Sequence, residues 1–350
     1  VIRAERIGLA FGGVFCALSL LLAVLDPKAA LTGWLAAFVF WSSLPIGALG
    51  LVMMIRLIPG EWSREVAPAA ETALLLLPLA AIAAFPILIG VHVVYDWSVA
   101  PPEEGFRGTY LTAWFFVLRT LIAFAAMIAL AALLLVRRSL SAPVACIGLI
   151  VLVLLDTLLA TDWIMSLDSE FHSSGFGLYV LCMQMTAALA LSTGARLLSA
   201  DRNAEPKLLG ALMLTGLLFW TYFTFMQFFI IWSGNFPHEV TWYRHHGEGV
   251  WGAAEYLIAA LNLAPLLLLM LLSPLRRSRA ALLAIAAAVL VGRAVESTWL
   301  VIASVKVDLL TALGAAGLGF VGLGCLSAVV FLWSTRNFHG TATLHAEGRP

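Results

Sequence analysis

The chain has 350 residues, of which 62% are hydrophobic and only 11% charged, and its mean hydropathy is +0.99. That balance excludes a soluble globular protein and a disordered one alike. Twenty Lys plus Arg offset twenty Asp plus Glu, so net charge points to no nucleic acid and no acidic partner, and the information lies in where the charges sit.

A bilayer core takes ~20 apolar residues per helix, and runs of that kind recur here with breaks at Pro, Gly or charge. They predict ten spans, near 7–25, 31–57, 71–94, 110–136, 143–164, 172–198, 208–232, 250–272, 280–302 and 309–334. The first run follows Arg3 and Arg6 but is longer than the apolar region of a signal peptide. It enters Asp26-Pro27-Lys28 without a small-x-small site, so it reads as a span. The expected fold class is an all-α integral membrane protein, a single polytopic domain over 1–350.

Cationic loops resist translocation. Arg3, Arg6, Arg56, Arg64, Arg137, Arg138, Arg196, Arg202, Lys207, Arg276, Arg277, Arg279, Arg336 and Arg349 fall on one side of the ten spans; Lys28, Arg107, Arg244 and Lys306 fall on the other. The bias places both termini in the cytoplasm, as an even number of spans requires. Cys16, Cys146, Cys182 and Cys325 each lie in an apolar run without Cys-x-x-Cys spacing, and read as packing residues rather than ligands for haem, zinc or iron–sulfur clusters. Redox chemistry nearby would then use a partner's centres.

Arg119 and Arg293 fall inside spans 4 and 9, where a cation costs at least ~3 kcal/mol on insertion scales and so faces a bundle interior and a partner. Acids lie at matching depth: Asp156 and Asp162 on span 5, Glu255 on span 8, Glu296 on span 9, with Gln184 and Gln227 at similar heights. Arg293 and Glu296, three apart, share a helix face and can pair. One pair alone reads equally as a structural lock. Acids on three spans favour a proton or substrate path, with Asp156 the sharpest candidate, because a carboxylate held out of water in a bundle can exchange protons near neutral pH.

Paired imidazoles on facing helices hold b-type haem, but His92 alone sits within a span. His172, His238, His245 and His246 belong to outer loops or helix ends, and His339 and His345 to the tail. Trp97, Trp163, Trp232, Trp242 and Trp251 fit an interfacial belt. The stretch 235–249, rich in His, Glu, Trp and Tyr, reads as a docking surface, with Trp242, Tyr243, Arg244, His245 and His246 as its anchors.

Two stretches then carry a family likeness. TDWIMSLDSEFHSSGFGLY at 161–179 and FMQFFIIWSGNFPHEVTWYRHHGEGVW at 225–251 resemble signatures of the F subunit of bacterial alternative complex III, a quinol-oxidising complex. Segments 71–97, 110–119 and 292–301 are similar to that family's spans 3, 4 and 9. The resemblance implies a fold like that of polysulfide-reductase-type membrane subunits, with a first four-helix bundle over 31–164, a second over 172–302, and peripheral spans in 1–30 and 303–350. It implies a subunit of the bacterial inner membrane that binds no cofactor itself and contributes a proton pathway. Its partners would be a homologous quinol-binding membrane subunit, a multihaem cytochrome c and an iron–sulfur subunit, so quinol or menaquinol, haem c and iron–sulfur clusters belong to them. Arg119, Asp162, Arg293 and Glu296 match that family's charged positions. The chain departs from it at 168–171, where Asp-Ser-Glu-Phe replaces Asp-Pro-His-Trp, at Glu296, where the acid is one methylene longer, at the reduced turn Pro59-Gly60-Glu61-Trp62, and in overall length. The function expected is a membrane subunit of a quinol:cytochrome c oxidoreductase. The alternatives are a secondary transporter, for which Pro78, Pro86 and Pro265 would break helices, and a scaffold without a path.

Overall fold

The computed structural model describes residues 2–99, 105–136, 141–169, 171–199, 203–235 and 237–346, excepting the side chains of 2–4, 141, 238 and 336–346. The expected charges Arg137, Arg138, Arg202 and Arg349 lie outside the described residues. Among the described residues ten helices are long and apolar enough to cross a membrane: Glu5–Val24, Pro27–Leu57, Glu61–Ile89, Ala113–Val136, Ala142–Leu167, Phe176–Leu198, Pro206–Gly234, Gly249–Leu271, Arg279–Ile302 and Leu309–Thr335. They are numbered here as spans 1 to 10. Among the described residues there is no strand, and the chain is an all-α, multi-pass membrane protein.

Local chemistry sets the helix ends. Asp26 caps span 2, its side chain accepting from the Ala29 N–H at 3.0 Å, and Pro27 follows at the first helical position. Ser278 caps span 9 in the same way through Ala281 N–H, and span 7 stops at Asn235, whose φ of 46° is left-handed.

Span 3 differs from expectation. It begins at Glu61, ten residues before the apolar run, because helix Glu61–Ala73 buries Val66, Ala69 and Ala70 while its polar Glu65 finds an arginine. Its later course is broken: Leu74–Leu76 tightens to a 3-10 turn, and short helices Leu77–Ala83, Phe85–Ile89 and Val91–Val94 follow. Pro78 and Pro86 have no N–H for the carbonyls of Leu74 and Ile82, four residues back. Pro45 and Pro265, by contrast, sit inside continuous helices.

Span 2 is the hub, packing on spans 3, 5, 6, 9 and 10. Two glycines allow the closest approaches: a Cβ on Gly33 would stand 2.2 Å from the Ala312 carbonyl oxygen of span 10, and one on Gly47 2.1 Å from the Gln184 carbonyl oxygen of span 6. Span 4 packs on spans 3 and 5; span 6 packs on spans 7 and 9, and span 8 on the same two; span 1 lies outermost against span 10.

One end of the molecule is basic and braced by ion pairs. Arg56 pairs with Glu71, Arg196 with Glu65 at 3.0 Å, and Arg279 donates to the Leu197 carbonyl. The other end is aromatic. There the expected tryptophan belt is corrected: Trp97, Trp163 and Trp242 are buried and only Trp232 of the five is largely exposed. Their ring N–H groups explain part of this, since Trp97 donates to Ser166 Oγ and Trp163 to Thr120 Oγ1, both at 3.2 Å, so neither needs interfacial water.

Candidate functional site

Four acids are buried among the described residues: Glu65, Asp156, Asp162 and Glu296. Three hold an arginine: Glu65 and Asp162 take theirs from a facing helix, and Glu296 takes its own from the same helix.

Spans 6 to 9 meet on the Arg293–Glu296 pair. For Glu296, Oε2 lies 2.5 Å from Arg293 Nη1, one helical turn back, as the i, i+3 spacing requires. Its Oε1 accepts from Tyr179 Oη of span 6 at 2.5 Å and from Trp220 Nε1 of span 7 at 3.0 Å. The guanidinium also donates through Nη2 to Asn262 Oδ1 of span 8 and lies 4.2 Å above the Trp220 ring. Asn262 is anchored in turn, donating to the Ile258 carbonyl at 2.8 Å. Arg293 is fully buried and Glu296 1% exposed. At ~1.5 Å per residue they lie ~13 and ~9 Å in from the aromatic end of span 9.

Arg119 of span 4 forks onto Asp162 of span 5, Nε to Oδ2 at 2.7 Å and Nη2 to Oδ1 at 2.9 Å, the bidentate geometry that lysine cannot reproduce. Its Nη1 donates to the Tyr110 carbonyl at 2.9 Å, and its Cζ lies 3.9 and 4.3 Å from the centres of the Tyr110 and Phe115 rings.

Asp156 of span 5 faces span 6. It is fully buried, and its Oδ1 accepts from Gln184 Nε2 of span 6 at 2.9 Å. Its Oδ2, like Gln184 Oε1, has no partner among the described residues. No cation meets it there, so it can gain or lose a proton without breaking an ion pair.

Glu255 is corrected: its side chain is exposed on the outside of span 8 rather than facing the interior. The docking stretch is corrected too. It folds as a helix, Pro237–His246, and two expected anchors lie inside the protein. Trp242 stacks on Phe171 at 4.3 Å and on the His246 ring at 3.8 Å; His246 is 1% exposed, its Nδ1 2.9 Å from the Trp242 carbonyl and its Nε2 3.3 Å from Ser304 Oγ. Burial pushes the imidazole down to about 4, so it is a neutral packing group. Tyr243 is half-buried, and only Arg244 and His245 are exposed.

Tyr179, Trp220 and Asn262 were not among the residues expected from sequence, being neutral side chains in otherwise apolar runs. Their one sequence signal is a hydrogen-bonding group in a lipid-depth helix, which calls for a protein partner. Neither a family model nor a curated protein matches the chain.

Proposed function

We propose that the chain is a membrane subunit of a quinol-oxidising respiratory complex, supplying a transmembrane proton path while partner subunits carry electrons to an acceptor such as cytochrome c. The observation that carries the reading is Asp156, a fully buried carboxylate that meets no cation among the described residues, held by Gln184 of span 6 on the same two helices that bring Asp162 to Arg119 and Tyr179 to Glu296. A protein needing only helix locks has no use for a desolvated acid whose second oxygen is unpartnered, since such a group costs stability.

A partner is supported by Glu255 and Tyr256, both exposed on span 8, since a charged side chain against lipid costs up to ~3 kcal/mol and a neighbouring subunit removes that cost. Arg244 and His245 extend the same exposed region at the aromatic end. The positive-inside rule sets the basic end on the cytoplasmic side of a bacterial inner membrane, with both termini there. A second reading, secondary transport, has one observation in its favour: the interrupted course of span 3.

Gentle solubilisation and affinity purification separate the two. Co-purification with haem- and iron–sulfur-containing subunits and quinol oxidation supports the proposal; a lone protein that moves a solute into liposomes overturns it in favour of transport.

A further inference from the structure

A cleft of about 1150 Å³ opens at the basic end, between the first turns of span 3, the last turns of span 6, the first half of span 9 and the last turns of span 10. Its deep wall is apolar, formed by Ala190, Leu191, Ala286, Leu290 and Phe331, and its charges gather at the mouth, at Arg64, Glu65, Arg196 and Glu205. Gly194 marks the wall as cut away. Span 6 is one of the most buried of the ten, yet a Cβ added at Gly194 would meet nothing within 4 Å.

Depth identifies the class of ligand. Ala190 is eight residues from the end of span 6 at Leu198, and Leu290 eleven from the start of span 9 at Arg279, which is ~12 and ~16 Å at ~1.5 Å per residue. Half of a ~30 Å hydrocarbon core is ~15 Å. The cleft is therefore one leaflet deep, apolar inside and charged where headgroups begin.

The mouth narrows the class further. Arg196 is gripped by Glu65, Nε to Oε2 at 3.0 Å. The Arg64 side chain, 69% exposed, lies 3.9 Å from Glu61 Oε1 and 3.7 Å from Glu205 Oε1, too far for hydrogen bonds. Both signs of charge are thus presented side by side and accessible. An anionic headgroup gains Arg64 but meets Glu61 and Glu205, and the neutral carbonyls of a quinone ring use neither sign.

We propose that this cleft binds one zwitterionic phospholipid from the leaflet at the basic end, its phosphate on Arg64, its ammonium beside Glu205 and its acyl chains along the wall of spans 6, 9 and 10. The site is separate from the buried acids and does not rest on the function proposed above.

The test is native mass spectrometry of the affinity-purified protein, with any subunits it carries, after incubation with equal amounts of phosphatidylethanolamine, phosphatidylglycerol and an isoprenoid quinone. The expected result is one phosphatidylethanolamine retained at least tenfold over either competitor. Gly194→Phe, which fills open space, should cut retention at least tenfold, and Arg64→Gln should remove the discrimination between the two phospholipids. If Gly194→Phe does not fold, Ala287→Phe, from an exposed wall position, is read by the same criterion. Retention of no lipid, equal or better retention of phosphatidylglycerol or quinone, or undiminished retention in the filled variant overturns the proposal.

Discussion

Replacing Glu296 by Gln changes one atom of the buried network, and its cost can be worked from the partners. The amide oxygen can still accept from Tyr179 Oη and Trp220 Nε1, which now meet Oε1, so those hydrogen bonds survive. What is lost is the charge opposite Arg293, which is fully buried and would keep only Asn262 Oδ1 and the Trp220 ring face. Stranding one member of a buried pair costs about 3–5 kcal/mol, whereas removing both charges is far cheaper. Glu296→Gln should therefore destabilise the protein by at least about 3 kcal/mol in reversible unfolding from lipid bicelles. The double variant Arg293→Met, Glu296→Gln should be more stable than Glu296→Gln alone. A cost below about 1 kcal/mol for the single change, or additive costs in the double, would refute the claim that the pair is desolvated and coupled.

Three further outcomes follow from the geometry. Gly47→Ala sets a Cβ 2.1 Å from the Gln184 backbone oxygen, so spans 2 and 6 must separate, and a loss of about 2 kcal/mol or more is expected in the same unfolding assay. Arg119→Lys keeps the charge but not the fork onto Asp162, and should cost about 2 kcal/mol while Arg119→Met costs more. The His246 imidazole, pushed down to about 4 chiefly by burial, with Asp168 and His245 as its titratable neighbours, protonates more readily in the unfolded chain, near 6.5. Its contribution is therefore fully present above pH 6.5 and is lost as pH falls toward 4, about 3 kcal/mol in all. Protection factors across 237–246, with the intrinsic pH dependence of exchange divided out, should fall over that window, and His246→Phe should flatten the dependence.

The spans could be read from sequence because lipid imposes a length and an apolar composition on each helix, and Arg293 with Glu296 could be read because a helix fixes the i, i+3 relation. The union of Arg119 with Asp162, 43 residues away, required the packing of span 4 on span 5. The side to which Glu255 turns is not legible because most of span 8 is apolar, and where lipid and protein are equally apolar no periodicity says which face turns inward. Local composition suggests docking for Trp242 and His246 because it cannot show that Phe171 and Trp299, far off in the chain, already cover them. The sequence starts span 3 late because Glu65 is polar there and its partners, Arg196 of span 6 and the Glu205 N–H, are far off in the chain.

Asp156→Asn tests the proton path most directly, because it removes a titratable group without stranding a cation. The amide can still accept from Gln184 Nε2, so the complex should assemble and its stability should be unchanged or raised. In the purified complex reconstituted into liposomes, protons moved per electron during quinol oxidation should fall well below the parent value in the Asp156→Asn variant. An assembled variant with the parent's full proton yield and turnover would contradict a path through this chain and leave its buried acids as helix locks.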